Sequence, residues 1–284
     1  MKSKNRIFSI GLALYILFLG GASAVAQSSS PAASDWQRME VVSTRLVSAV
    51  TGTGGDDTVL VGLQMKLVKG WKTYWRIPGD SGIPPRFNWQ GSKNVNRVSV
   101  MWPTPIAFDS GGFLTWGYAD EVIFPMQVEL KEAGKPLSLK LTVGFGVCEN
   151  ACIPLQHSLS LDLPSSAAGT SPHAATLENI AAQVPKPVAE TPEIEAMTMT
   201  VGADNTLEFK AVATTKFKDP VLILEGEDGD YFNVKGSSIS ADHTTAYFSI
   251  AAEVVRKSAK LKGRMLFVTL FDDAWATEDI VVIK

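Results

Sequence analysis

The sequence has little cysteine, little histidine and almost no net charge. Two cysteines and three histidines in 284 residues are too few for a disulfide-dense scaffold or a multi-zinc array. Lys and Arg number 26 against 29 Asp and Glu, so no basic excess is available to bind nucleic acid. With 45% hydrophobic residues, a disordered tail is also excluded. What remains is a mildly acidic globular protein with a single cysteine pair.

The chain has only one long apolar run, and it lies at the N-terminus. Three basic residues precede the apolar residues 7–19, and small residues at 24–26 fit a cleavage site. Thirteen apolar residues are few for a bilayer span, so residues 1–26 are predicted to be a cleaved secretory signal peptide, with an uncleaved anchor as the alternative. Both cysteines follow it, where oxidising conditions outside the cytoplasm allow them to pair.

The rest of the chain divides into four segments. The small, polar residues 27–40 are predicted to be a disordered lead-in. Residues 41–165 alternate apolar and polar side chains, which is typical of antiparallel strands. Residues 166–195 have the composition of a linker with a short helix, and residues 196–284 return to short strands. The predicted fold is all-β, with two immunoglobulin-like sandwiches joined by a linker that contains a short helix.

The cysteines lie at the tip of a predicted hairpin. If Cys148 is placed opposite Cys152, paired residue numbers sum to 300, and apolar positions face apolar ones along most of the hairpin, as Leu137 faces Leu163. Opposed residues have Cα atoms about 4.5–5.5 Å apart, within reach of a disulfide. This register places both cysteines on the polar face. Pro154 lacks a backbone donor and therefore predicts an edge strand or a bulge there.

A disulfide at this position admits three interpretations. Because it closes a loop of only five residues, it gains about 2 kcal/mol from chain entropy, which is a weak structural staple. An exposed bond in a short loop is instead typical of a reducible, reactive disulfide. A structural disulfide remains the alternative, and so does a metal site of Cys148, Cys152 and His157. The register opposes that third ligand, since His157 faces Val143 on the apolar side, where a core histidine is expected.

One segment carries the letters of a serine nucleophile. Gly79-Asp80-Ser81-Gly82 matches the surroundings of a trypsin-type serine, but all three histidines follow it in the chain. That order does not supply the general base that such chemistry needs. Residues 77–85 are interpreted as turns bounded by prolines.

Several segments together resemble a known family. The resemblance rests on residues 70–76 (GWKTYWR), 78–82 (PGDSG), Trp102-Pro103, Gly117-Tyr118, Val147-Cys148 and Cys152-Ile153-Pro154. These resemble the periplasmic N-terminal domain of DsbD-type thiol–disulfide interchange reductases, and most of all the longer, ScsB-like variants. The resemblance covers about residues 40–165, and the second β domain fits the additional domain of the longer relatives.

The resemblance implies a periplasmic module, a component of a thiol–disulfide oxidoreductase system, that carries electrons as a cysteine pair without cofactor or metal. Its expected acceptors are thioredoxin-fold periplasmic proteins, either disulfide isomerases or cytochrome c maturation thioredoxins. Two departures are noted. Well-studied members have more than the three residues found here between the cysteines, and neither a membrane domain nor a thioredoxin-like domain is expected in this chain. The electron donor is then a separate, membrane-embedded protein.

The resemblance also implies which residues form the site. Cys148 and Cys152 would be the redox pair, with Cys152 joined to the partner and Cys148 resolving the mixed disulfide. The cap loop, residues 108–116 (FDSGGFLTW), would shield the bond with its aromatic side chains, and Tyr74 would be an active-site tyrosine. The site-lining aromatics are therefore Tyr74, Phe108, Phe113 and Trp116.

Three alternatives stay open at this point. The aromatic side chains could be ordinary core or loop packing. The protein could be a partner-binding adaptor whose disulfide is structural, or a copper-handling protein that uses the two cysteines as soft ligands. Within the loop, Glu149 would raise the pKa of a neighbouring thiol, and no Lys or Arg is present to lower it.

Overall fold

The computed structural model describes residues 32–109, 111–203, 206–227, 230–253, 260–273 and 275–284. The predicted signal peptide lies outside these residues. Within them the chain forms eighteen β-strands and one α-helix, so the all-β prediction is confirmed. The described part contains no helix with the length and apolar character needed to cross a bilayer.

The first domain is built from two antiparallel sheets packed face to face. One sheet has the order β1-β2-β3-β9-β6, and the other has the order β11-β10-β4-β8-β7, with β5 paired to β10. The core lies between them and includes Leu63, Phe124 and Leu141, each at most 1% exposed. Its strands are β1 (Gln37–Arg38), β2 (Val42–Ser48), β3 (Thr58–Leu67), β4 (Lys72–Gly79), β5 (Arg86–Asn88), β6 (Val95–Val100), β7 (Ile106–Asp109), β8 (Leu114–Ala119), β9 (Glu121–Leu130), β10 (Leu137–Cys148) and β11 (Cys152–Leu163).

The lead-in is more ordered than the sequence predicts. Of residues 27–40, those from 32 onward are described, and Gln37 and Arg38 form β1 against β2. Ser34 adds to this pairing: its backbone N–H donates to the Leu46 carbonyl, and its Oγ accepts from the Leu46 N–H, both at 2.9 Å. The prediction of disorder is wrong for this part, because a small, polar composition does not reveal backbone pairing to an edge strand.

The helix predicted within the linker is α1 (Ala174–Ala182), and it packs on the first domain. Leu177 is fully buried against Val47 and Ile123. Gly62 of β3 leaves the room for it, since a Cβ at that position would overlap the Leu177 side chain. This segment therefore forms a small apolar cluster with the first domain, separate from the main core between the sheets.

The second domain is also a two-sheet arrangement. A four-stranded sheet has the order β12-β13-β16-β15, and a three-stranded sheet has the order β14-β17-β18. A short 3-10 turn, Val188–Glu190, precedes them. The strands are β12 (Ile194–Val201), β13 (Thr206–Ala213), β14 (Val221–Glu225), β15 (Tyr231–Ile239), β16 (Thr245–Glu253), β17 (Met265–Asp272) and β18 (Trp275–Val282).

Candidate functional site

The cysteine hairpin is formed by β10 and β11 in the register that the sequence predicts. Leu137 pairs with Leu163, Val143 pairs with His157, and Cys148 pairs with Cys152. The register follows from the alternation, because a slip by one residue would turn every apolar side chain of the strand toward solvent. The predicted pairing is confirmed at all twelve positions of the ladder.

Cys148 and Cys152 form a disulfide with their Cα atoms 4.2 Å apart. The bond lies at the tip of the hairpin, and β11 is the edge strand of its sheet. An edge strand is what Pro154 predicts, since proline cannot donate to a ladder. The disulfide therefore lies at a border of the sheet, where another protein can approach.

The two bonded cysteines differ in exposure. The sequence predicts an exposed bond, but Cys148 is only 2% exposed, whereas Cys152 is exposed. The prediction is wrong for Cys148 because side chains and backbone from β4 and from the segment after it cover its face of the sheet. Cys152 is consequently the more accessible of the two residues.

Tyr74 of β4 lies beneath the disulfide. Its hydroxyl donates to Cys148 Sγ at 2.8 Å and lies 3.2 Å from Cys152 Sγ. The side chain is 2% exposed, and this burial raises the pKa of Tyr74 above its ordinary value. The phenol therefore stays protonated and remains a donor to sulfur.

Residues 80–84, here called the strap, cross over Tyr74. Gly82 has a φ of +130° and lies flat on the tyrosine ring, and any Cβ there would collide with the ring. Next to it, the Ile83 carbonyl accepts from the N–H of Gly146 at 2.9 Å. The sequence predicts turns here, but it does not predict that these turns cover the site.

Lys72 is a site residue that the sequence analysis missed. It pairs directly with Cys148 across β4 and β10, and its Nζ donates to Thr115 Oγ1 at 3.4 Å. Burial lowers the pKa of the Lys72 ammonium, while the negative charge of Asp109 opposes that effect. The sequence does contain a signal for Lys72. It lies two residues before Tyr74 on the same strand, and residues two apart in a strand point to the same face of the sheet.

The cap loop contributes one aromatic side chain near this face. The ring of Phe108 lies 4.8 Å from the Lys72 Nζ. Phe113, at the tip of the loop, is 56% exposed, and Ser110 lies outside the described residues. Two of the predicted aromatics, Tyr74 and Phe108, are therefore brought beside the disulfide or its strand neighbour.

Trp116 is not brought to the disulfide. It pairs with Ala107, whereas Phe108 pairs with Thr115, and successive residues of a strand point to opposite faces. Its ring instead packs edge-to-face on Phe271 of the second domain, with centroids 6.3 Å apart. The prediction that Trp116 belongs to the cap is wrong, because the aromatic composition of a loop does not specify which face each ring occupies.

His157 is fully buried and makes a core contact. Its Nδ1 lies 2.6 Å from Thr44 Oγ1, and burial lowers the pKa of its imidazole. Among the described residues, no group of three or more His, Cys, Asp or Glu side chains could hold a metal ion. The placement of His157 opposite Val143 is as predicted from the register.

Comparisons with known proteins bear on this hairpin and its surroundings. Residues 42–164 match the family described as thiol:disulfide interchange protein DsbD, N-terminal. The resemblance to the DsbD N-terminal domain is confirmed. Residues 183–284 match a family described as a domain of unknown function (DUF8393). No curated protein matches the chain at a significant level.

One solved structure has a fold similar to that of both domains. The crystal structure of the N-terminal periplasmic domain of ScsB from Proteus mirabilis is 24% identical, with a TM-score of 0.72 over 88% of this chain and 98% of that one. This likeness shows a shared fold. The C-terminal domain of the Streptococcus agalactiae AgI/II polypeptide BspA gives a TM-score of only 0.19 at 8% identity, over 84% of this chain and 99% of that one.

Proposed function

We propose that this protein is a periplasmic thiol–disulfide exchange module that reduces disulfides in partner proteins through Cys148 and Cys152. The observation that carries the proposal is the difference in exposure between the two bonded cysteines. Cys152 is exposed at the edge of the sheet, and Cys148 lies 2% exposed against the Tyr74 hydroxyl. A purely structural staple has no need for one exposed cysteine and one buried cysteine.

The proposed exchange has two steps that conserve electrons. In the reduced protein, the Cys152 thiolate attacks one sulfur of the partner's disulfide, and that bond breaks to release the partner's other sulfur as a thiolate. Cys148 then attacks Cys152 Sγ, re-forming the bond seen here and releasing the partner as a dithiol after protonation. Two electrons pass to the partner, and a separate donor must return them.

The roles of the two cysteines in this scheme agree with their surroundings. The attacking sulfur has to reach the partner, which favours the exposed Cys152. The resolving sulfur only has to reach Cys152, which its position on the adjacent strand allows at a Cα separation of 4.2 Å. Tyr74 can donate to a thiolate on Cys148 after reduction, and hydrogen bonds to charged acceptors are stronger than those to neutral ones.

The proposed partners follow from the resemblance to DsbD-type domains. The acceptors are thioredoxin-fold proteins of the periplasm, of the disulfide isomerase or cytochrome c maturation type, and the donor is a membrane-embedded reductase. A donor that supplies two electrons at a time matches a site whose only redox group is one disulfide among the described residues.

Trapping of the mixed disulfide tests the function. Cys148→Ala leaves the attacking thiol without its resolving partner, so this variant, expressed in the periplasm, should accumulate a covalent complex with a thioredoxin-fold protein. Cys152→Ala is the matched control and should not accumulate it. Non-reducing electrophoresis followed by mass spectrometry of the complex identifies the acceptor.

Two other outcomes would change the proposal. If Cys152→Ala is the better trap, Cys148 is the attacking residue and the two roles are exchanged. If neither variant forms a covalent complex that a reductant cleaves, the disulfide is structural and the protein is a partner-binding adaptor.

A further inference from the structure

The second domain contacts the first at β4, the strand that contains Tyr74. Arg76, two residues further along β4, donates from Nε to Glu225 at 2.8 Å, and its guanidinium also pairs with Glu278. The same group donates to Thr269 Oγ1 at 3.1 Å. All three charged side chains are at most 20% exposed. Such a shielded network fixes the end of β4 against β14 and β18 with defined geometry.

Apolar contacts reinforce this attachment. Ile223 of β14 is 5% exposed and belongs to the core cluster of the first domain. Phe271 of β17 packs on that cluster too, against the ring of Trp116. The core of the first domain is therefore continuous with the face that the second domain presents, beside the strands β4 and β8.

Asp80, the first residue of the strap, connects three separate parts of the molecule. Its N–H donates to the Leu114 carbonyl at 2.9 Å, and its Oδ2 accepts from the Leu114 N–H at 2.8 Å. Leu114 belongs to the cap loop. The other oxygen, Oδ1, accepts a hydrogen bond from the hydroxyl of Tyr231 on β15 of the second domain.

The Tyr231 hydroxyl is a dependable donor in this contact. Burial, followed by the hydrogen bond to Asp80 and its negative charge, raises the pKa of Tyr231 to about 12. The phenol is thus protonated over the whole physiological range. A protonated phenol facing a carboxylate makes a charge-assisted hydrogen bond, which is stronger than one between neutral groups.

From Asp80 the chain runs directly over the redox site. Two residues further on, Gly82 lies on the Tyr74 ring, and Ile83 bonds to Gly146, which is two residues before Cys148. A shift at Asp80 therefore moves both the strap and the start of β8, the two segments that flank Tyr74. The backbone from Asp80 to Ile83 is only four residues long, which is short enough to transmit such a shift.

We infer that Tyr231 is a positioning residue: by holding Asp80, the second domain keeps the strap seated on Tyr74 and Gly146, beside the buried Cys148. The inference rests on the proposed function, since the packing of the strap beside Cys148 has consequences for function only when the bond reacts. It assigns a role to the second domain, which carries no cysteine. That domain would control access to the bond without taking part in the exchange.

Reduction by a small thiol tests this inference on the full chain purified from the periplasm. Tyr231→Phe removes only the hydroxyl that bonds Asp80. Tyr247→Phe is the matched control, because Tyr247 lies 43% exposed on β16 of the same domain. Excess dithiothreitol reduces the bond and is itself oxidised to its cyclic disulfide, and the thiols that appear give the rate. A second variant, Asp80→Asn, weakens the same contact from the other side.

We expect Tyr231→Phe and Asp80→Asn to be reduced several-fold faster than the unmodified chain, and Tyr247→Phe to be reduced at the unmodified rate. Hydrogen exchange at the Leu114 and Gly146 amides should also quicken in the first two variants, which a loss of stability elsewhere would not produce. Equal reduction rates for Tyr231→Phe and the unmodified chain would overturn the inference, as would an equal acceleration in Tyr247→Phe.

This result is separable from the proposed function. Dithiothreitol needs no partner protein. Faster reduction of Tyr231→Phe together with failed trapping by Cys148→Ala would therefore support the positioning role of Tyr231 and contradict the exchange function. Successful trapping by Cys148→Ala together with an unchanged reduction rate of Tyr231→Phe would support the exchange function and contradict the positioning role of Tyr231.

Discussion

The hydroxyl of Tyr74 donates a hydrogen bond to Cys148 Sγ over 2.8 Å. The contact joins β4 to the tip of the β10–β11 hairpin and is 2% exposed at both residues. It gives the two states of the disulfide different environments, because the hydroxyl can donate to a thiolate more strongly than to a neutral sulfur.

Tyr74→Phe should make the midpoint potential of the pair more negative. The hydroxyl stabilises the reduced form when Cys148 is a thiolate, and a charge-assisted hydrogen bond exceeds a neutral one by about 1 kcal/mol. That difference corresponds to a shift of about 20 mV for a two-electron couple. The potential is measured against glutathione in mildly alkaline buffer, which favours ionisation of thiols.

Tyr118→Phe is the matched control for this measurement. Tyr118 is also buried in the first domain, but its hydroxyl donates to the Pro103 carbonyl. Loss of the Tyr118 hydroxyl should lower the free energy of unfolding and leave the midpoint potential unchanged. An unchanged potential in Tyr74→Phe would show that the contact does not distinguish the oxidised from the reduced pair.

Shielding by the cap loop is tested by truncating its aromatic side chains. Phe108→Ala should increase the rate of reduction by dithiothreitol several-fold, because its ring covers the Lys72 side chain next to Cys148. Phe113→Ala should increase the rate less, since that ring is 56% exposed. Tyr247→Ala, on the second domain, controls for the loss of an aromatic ring. Rates that match the control in both variants would assign Phe108 and Phe113 to ordinary packing.

Leu177 tests whether α1 stabilises the first domain. Because the side chain is fully buried, Leu177→Ala should lower the free energy of unfolding by about 2–5 kcal/mol. Glu178→Ala removes an exposed neighbour on the same helix and should change it by less than about 0.5 kcal/mol. Urea unfolding measures both. Similar, small changes in the two variants would mean that the helix is a passive linker.

His157 predicts how the stability depends on pH. Burial lowers the pKa of His157 in the folded state, so below about pH 6.5 the unfolded chain binds the proton more readily than the folded chain does. The free energy of unfolding should therefore fall as the pH drops below 6.5 toward the lowered pKa of the folded state.

The His157→Gln variant isolates this effect in urea titrations between pH 7.5 and 5. Its free energy of unfolding should depend less steeply on pH than that of the unmodified chain. A residual slope of the same sign is expected from His173, whose pKa is lowered by burial and by the charge of Arg45. An identical slope in the variant would contradict the assignment to His157.

Local patterning was sufficient to predict the cysteine hairpin. The alternation of apolar residues in β10 and β11 fixes which side of each strand is buried, and only one register satisfies both strands. The pairing of Cys148 with Cys152 and the core position of His157 follow from that register alone, and both agree with the structure.

The covering of Cys148 could not be predicted in the same way. It depends on Gly82, which follows the bulged end of β4 and lies on Tyr74. The strap is held there by contacts of Asp80 and Ile83 with residues more than thirty positions away. The role of Trp116 was missed for a related reason, because its partner Phe271 lies in the other domain. Contacts of this kind arise from the packing of the sheets, and the local sequence pattern does not predict that packing.

The reduction potential of the Cys148–Cys152 pair tests the central claim most directly. Structural disulfides of secreted proteins have potentials below about −300 mV, whereas a bond that exchanges electrons with thioredoxin-fold partners must lie well above that value. Equilibration of the purified chain with glutathione buffers, followed by alkylation of the free thiols, gives the number. We expect a potential well above −300 mV, and a potential below −300 mV would contradict the exchange function.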